Sequence, residues 1–61
     1  MAPKLKGYVL KADGHPPVKF MSDVQGFRDA VRYATALQKR LRDRGELETA
    51  RSVTIEEVYG A

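Results

Sequence analysis

The chain has 61 residues, of which 43% are hydrophobic and 31% are charged, with a net charge of +3 and no cysteine. A chain of this length forms one small domain with a marginal core, and the lack of cysteine excludes disulfides and zinc sites built from thiolates. No apolar run approaches the ~20 residues of a membrane span, and the N-terminus lacks the apolar core of a signal peptide. The composition fits a folded cytoplasmic protein that is braced by self-association or by an obligate protein partner.

Charge is distributed unevenly along the chain. Residues 1–21 and residues 22–45 each sum to +3, whereas residues 46–61 sum to −3. Unlike charges commonly face each other across neighbouring strands. We therefore expect the acidic C-terminal segment to lie beside a strand that carries lysine.

The first two predicted elements form a β-hairpin. Tyr, Val and Leu in short alternation predict a strand over residues 4–11, and Gly7 marks a bulge or a close backbone approach. Asp13-Gly14 is a turn signal, because glycine accepts positive φ without steric cost. The prolines after His15 cannot donate ladder hydrogen bonds, so the loop should run to Pro17 and the second strand should span residues 18–21.

A long helix over residues 23–44 is the next predicted element. Ser22 and Gln25 have the spacing of a capping box, and Asp23 adds negative charge to the first turn. Gly45 is the expected C′ residue, just beyond the helix end. Seven side chains at helical spacing form the predicted apolar stripe: Val24, Phe27, Ala30, Val31, Ala34, Leu37 and Leu41.

The last predicted element is a strand over residues 51–59. Val53 and Ile55 share one face, and a bulge at Glu56-Glu57 would return Val58 to that face. The resulting fold class is α+β, a small single domain of β-β-α-β order. One long helix packs on one face of a three-stranded sheet, in which the first strand is central (order 2-1-3).

No arrangement of residues indicates catalysis. His15 lies between a glycine and two prolines with no orienting partner, and the adjacent Glu56 and Glu57 point to opposite faces of a strand. No glycine-rich phosphate loop precedes the helix, and one histidine cannot hold a metal ion alone. We expect no enzyme activity, no cofactor and no metal.

Basic side chains on the helix are the main functional signal. At ~100° per residue, four of them fall along one flank and form what we call the basic row: Arg28, Arg32, Lys39 and Arg42. They are either phosphate contacts or the solvated back of a helix. Tyr33, predicted to be exposed beside Arg40 and Arg44, is a candidate for stacking on a base.

A second candidate surface is the sheet face that the helix leaves uncovered. We predict Tyr8, Leu10 and Met21 on this face, with Tyr59 if the alternation continues to the end of the last strand. A chain so short of core gains by burying such a face, which therefore predicts a dimer or a partner contact.

Two main functional hypotheses follow. The first is a small, basic, non-catalytic module that forms a dimer and binds nucleic acid or a nucleoprotein complex. The second is a protein-binding regulator that its basic helix would steer to an acidic protein surface. The hairpin–helix–strand plan resembles several small regulatory proteins. These include phage-encoded inhibitors of host enzymes such as RNA polymerase or a defence complex. A structural dimer without a specific ligand is a third possibility, and fold alone does not decide among them.

Overall fold

A computed structural model describes residues 2–60. Its elements in chain order are β1 (Lys4–Ala12), β2 (His15–Met21), α1 (Val24–Asp43), α2 (Leu47–Ser52) and β3 (Thr54–Gly60). The three strands form one sheet of order β2-β1-β3, with both outer strands antiparallel to β1. The predicted α+β class, the long helix and the central position of the first strand are confirmed.

The hairpin is tighter than the sequence predicted. β2 begins at His15, so the prediction of a loop reaching Pro17 is wrong. Ala12 pairs with His15 and Leu10 pairs with Val18, so the register shifts by one residue where the two prolines lie. The prolines are tolerated because β2 is an edge strand and the shift is an irregularity of the ladder. Gly14 has the positive φ that the turn requires, 77°.

The predicted faces of β1 are exchanged in the structure. Leu10 is only 2% exposed and belongs to the core with Leu41 of α1. The Tyr8 ring lies 5.2 Å from the ring of Phe27, also on α1. Tyr8 and Leu10 therefore face the helices, and their assignment to an uncovered partner or dimer face is wrong. A register error of one residue moves every side chain of a strand to the opposite face.

The uncovered sheet face carries apolar and charged side chains next to one another. Val9 pairs across the sheet with Lys19 on one side and Glu56 on the other, and Lys11 Nζ lies 2.9 Å from Glu56 Oε2. This ion pair confirms that the acidic segment lies beside a lysine-bearing strand. Met21 is exposed, as predicted.

The start of α1 differs from the predicted capping box. Asp23 is the N-cap, and its Oδ1 accepts a hydrogen bond of 2.6 Å from the Gly26 amide. The Gln25 side chain donates to Asp29 Oδ1 at 2.9 Å instead of reaching back toward Ser22. The assignment of the cap to Ser22 is wrong, because the carboxylate one residue later supplies the same acceptor. Gly26 is buried, and a Cβ there would collide with the Met21 carbonyl.

The end of α1 agrees with the prediction. Gly45 has a φ of 81°, and its amide donates to the Arg42 carbonyl at 2.9 Å. The Glu46 amide donates to the Leu41 carbonyl at 2.9 Å. This pair of bonds is a Schellman motif, which glycine favours because the C′ residue is left-handed. Within residues 2–60, no helix has both the length and the apolar content needed to cross a bilayer.

A second helix, α2, follows directly and was not predicted. It includes residues 51 and 52, which the sequence analysis had assigned to the last strand. Ala50 and Val53 enter the core beside Leu10 and Leu41, so α2 closes one end of the molecule. The Asp13 amide donates to Ser52 Oγ at 2.9 Å, which ties α2 to the hairpin turn.

β3 pairs with β1 without interruption along its glutamates, so the predicted bulge at Glu56-Glu57 is wrong. The irregularity lies instead in β1, between Leu5 and Gly7, where the sequence analysis had placed a bulge or a close approach. A Cβ on Gly7 would lie 2.5 Å from the Phe20 carbonyl oxygen. Val58 pairs with Gly7 on the uncovered face rather than returning to the core.

Candidate nucleic-acid interface

The basic row lies on the exposed side of α1. The helix buries Gly26, Ala30 and Leu41, which all fall on the opposite side when the helix is viewed along its axis. All four members of the row are exposed: Arg28, Arg32, Lys39 and Arg42. At a rise of ~1.5 Å per residue, the row extends for ~21 Å along the helix.

None of these four side chains is held by a carboxylate within the described part of the chain. The ion pairs formed there are Lys11–Glu56 and the exposed contact between Arg51 and Glu48. Asp29, which is one turn from Arg32 at i+3, accepts a hydrogen bond from Gln25. An unpaired arginine can donate all five of its N–H groups to an external anion without first breaking an internal bond.

The apolar stripe is rotated relative to its prediction. Ala30, Ala34, Leu37 and Leu41 contribute to the buried side of α1, whereas Val24 is 71% exposed and Val31 is also exposed. Val24 and Val31 were expected in the core. The physical reason is that α1 lies mainly over β1 and β2 and contacts β3 less, so its side toward β3 is not covered.

An aromatic surface continues from this uncovered side of α1 onto the sheet. Phe27 is 45% exposed although its ring contacts Tyr8. Glu57 pairs with Tyr8 across the ladder, and the Tyr59 hydroxyl donates a hydrogen bond to the Glu57 carboxylate. Tyr59 is 52% exposed and lies on the same side of β3 as Glu57. We call Tyr8, Phe27 and Tyr59 the aromatic surface.

The hydrogen bond to Glu57 raises the pKa of the Tyr59 phenol above its ordinary value, because ionisation would remove the donated proton beside a negative charge. Partial desolvation acts in the same direction. The phenol therefore stays neutral and keeps the Glu57 carboxylate oriented along the strand.

Tyr33 occupies the other flank of α1. Its ring packs edge-on against Phe20 of β2 at 5.9 Å, and the side chain is 45% exposed. It lies ~120° around the helix from Lys39, at the middle of the basic row. The suggestion that Tyr33 stacks on a base stays a prediction, but the structure does not bring Tyr33 next to the row.

A cleft with a volume of about 570 Å³ lies near the start of α1. Its apolar lining includes Gly7, Phe20, Met21 and Val58, and its acidic lining consists of Asp23 and Asp29. Both carboxylates already accept local hydrogen bonds, from Gly26 and Gln25 respectively. The volume is in the range of small-ligand pockets. Its exposed apolar side chains suit a docking contact better than acid–base chemistry.

The exposed part of the apolar stripe and the aromatic surface beside it were not predicted from the sequence. β1 has apolar residues on both of its faces, so its sequence does not indicate which face the helix covers. In residues 2–60, no group of three or more histidine, aspartate or glutamate side chains is placed to hold a metal ion.

Comparison with known proteins gives no relative from which function could be transferred. No protein-family model, curated protein or solved structure shows significant similarity to this chain.

Proposed function

We propose that this protein is a small, non-catalytic module of the cytoplasm that binds nucleic acid, alone or within a nucleoprotein complex, through the exposed side of α1. The observation that supports the proposal most directly is the basic row, with four exposed side chains on one helix and no ion pair to any described carboxylate. Cations at one-turn spacing can follow a phosphate backbone, and release of counterions from that backbone drives the binding.

The test reverses the charge of three members of the row together: Arg28→Glu, Arg32→Glu and Lys39→Glu. None of the three contributes to the core, so the far-ultraviolet circular dichroism of the variant should match that of the native protein. Native protein should bind nucleic acid at low salt and lose about tenfold or more in affinity between about 50 and 200 mM salt. The triple variant should lose this binding, as measured by fluorescence anisotropy.

A matched control distinguishes the effect of the basic row on binding from the effect of net charge. Lys19→Glu, Arg44→Glu and Arg51→Glu change the net charge by the same amount and lie at exposed positions outside the row. This control should retain most of the binding at moderate salt, where long-range attraction is screened. Equal losses in the two triple variants would contradict a defined interface. Absence of salt-sensitive binding in the native protein would remove the proposed function.

A second candidate function is regulation of a protein target, for example as a phage-type inhibitor of a host enzyme. The observation that favours it is the exposed Met21 and Val58 beside the 570 Å³ cleft. Docking there would be apolar and would depend little on salt. If binding to a purified target is abolished by Met21→Glu but is unaffected by the triple reversal of the row, this second function takes precedence.

A further inference from the structure

We infer that the nucleic acid is single-stranded, with its phosphates on the basic row and its bases on the aromatic surface. This inference rests on the proposed function and names its substrate class. It is based on an arrangement that α1 creates, since one side of the helix carries the unpaired arginines and the neighbouring side carries exposed apolar and aromatic groups.

The two surfaces are adjacent. Val24 and Val31 are one-turn neighbours of Arg28 on the helix, at i−4 and i+3, and Phe27 is a one-turn neighbour of both valines. The Phe27 ring then contacts Tyr8, and Tyr59 lies beyond it on β3. A nucleic-acid strand that runs from the arginines to the rings therefore crosses only about half the width of the helix, whose diameter is ~10–12 Å.

The charges on the protein determine which surface the phosphates of the nucleic acid contact and which surface the bases contact. Glu57 lies on the sheet between Tyr8 and Tyr59 and holds its carboxylate on the Tyr59 hydroxyl. A phosphate at the rings would meet this negative charge, whereas a phosphate at Arg28 and Arg32 meets two unpaired guanidinium groups. The arrangement is therefore complementary to a single nucleic-acid strand whose phosphates contact α1 and whose bases point toward the protein's sheet.

An intact duplex cannot bind in this way, because its bases are not free to stack on the aromatic surface. Bases in a duplex are stacked on one another, and their faces cannot reach a protein ring. Unpaired bases can stack on Phe27 and Tyr59 regardless of their identity, because every base has a π-face. Binding should therefore show little sequence preference and should occur with both DNA and RNA single strands.

The experiment compares a labelled single strand with its own duplex. By fluorescence anisotropy at one moderate salt concentration, native protein should bind single-stranded DNA and RNA at least tenfold more tightly than duplex. The double variant Phe27→Leu, Tyr59→Leu keeps apolar side chains but removes the rings. It should lose about tenfold in affinity for the single strand, or ~1.4 kcal/mol.

The salt dependence distinguishes loss of stacking from loss of phosphate contacts. The ring variant should keep the native slope of log affinity against log salt, because its phosphate contacts remain. Arg28→Glu with Arg32→Glu should instead reduce that slope. Tyr33→Leu is the matched control, since Tyr33 has the same exposure as Phe27 but lies on the other flank. It should bind as the native protein does.

The outcomes are separable. Absence of any binding would remove the proposed function together with this inference. Salt-sensitive binding that prefers duplex, or that is lost in Tyr33→Leu and retained in the ring variant, would overturn the inference and leave the proposed function intact. Should the ring variant unfold, ultraviolet crosslinking of native protein to a halogenated-uracil oligonucleotide decides. Adducts on Tyr8, Phe27 or Tyr59 support the inference, and adducts confined to Tyr33 overturn it.

Discussion

The two ends of the helix-covered sheet face are built from similar side chains but are covered very differently. At one end, Leu10 of β1 and Leu41 of α1 are buried, and Ala50 of α2 and the following Val53 close the core. At the other end, within residues 2–60, Tyr8 and its neighbours on the aromatic surface have only the first turns of α1 above them. We call the first the closed end and the second the aromatic end.

The side chains that stabilise the fold most and the aromatic rings that remain accessible therefore lie at different ends of the protein. The closed end contains the two largest fully buried side chains, so most of the hydrophobic stabilisation is expected to come from there. The aromatic end has large rings that are half exposed, which stabilise the fold less and can still contact a ligand. A chain with so little core can leave these rings half exposed because α2 helps to complete the core elsewhere.

The largest expected effect on stability comes from removing a buried side chain at the closed end. Leu41→Ala removes a fully buried side chain and should cost ~2–5 kcal/mol. Total stability for a domain of this size is only ~3–9 kcal/mol, at ~0.05–0.15 kcal/mol per residue, so the variant should lose a large part of its stability. Phe27→Ala, at the aromatic end, should cost clearly less because the ring is already half exposed. Urea unfolding monitored by circular dichroism measures both, and equal losses would contradict the proposed division.

A smaller effect is expected at the start of α1, where the helix enters the aromatic end. Asp23→Ala removes the acceptor of the Gly26 amide and should cost ~1 kcal/mol. The melting temperature should fall by ~4–8 °C. Ser22→Ala is the control and should change stability by less than ~0.5 kcal/mol, because the Asp23 carboxylate provides the cap. A larger loss for Ser22→Ala than for Asp23→Ala would place the helix start where the sequence analysis had placed it.

The same contrast explains how much could be predicted from the sequence. The long helix and its end at Gly45 depend on strong local signals, namely helical periodicity and a residue that accepts positive φ. The faces of β1 could not be predicted, because Val9 and Leu10 are both apolar and nothing local distinguishes them. Their assignment depends on β2, where Val18 pairs with Leu10 and Lys19 pairs with Val9.

For the candidate site, the basic row could be predicted and its surroundings could not. Helical periodicity places Arg28 and Arg32 on one flank whatever the tertiary structure is. The exposure of Val24 and Val31 depends instead on where α1 lies over the sheet, and Gly26 allows α1 to approach the Met21 carbonyl of β2. This tertiary contact leaves no periodic signal in the sequence. The short helix α2 was missed because its six residues are too few for a reliable period.

The smallest expected effect tests the aromatic end without changing its packing. Tyr59 donates to Glu57, and its folded-state pKa is raised above the ordinary 10.0. A raised pKa contributes stability that is fully present below the unfolded-state pKa and is lost as pH rises through the folded-state pKa. Glu57→Gln should lower the pKa of Tyr59, as followed by nuclear magnetic resonance of ring-labelled tyrosine. Glu48→Gln, an exposed change on α2, is the control and should leave the Tyr59 titration unchanged. An unaltered Tyr59 titration in Glu57→Gln would mean that the hydrogen bond does not persist in solution. Glu57 would then not hold its charge beside the rings.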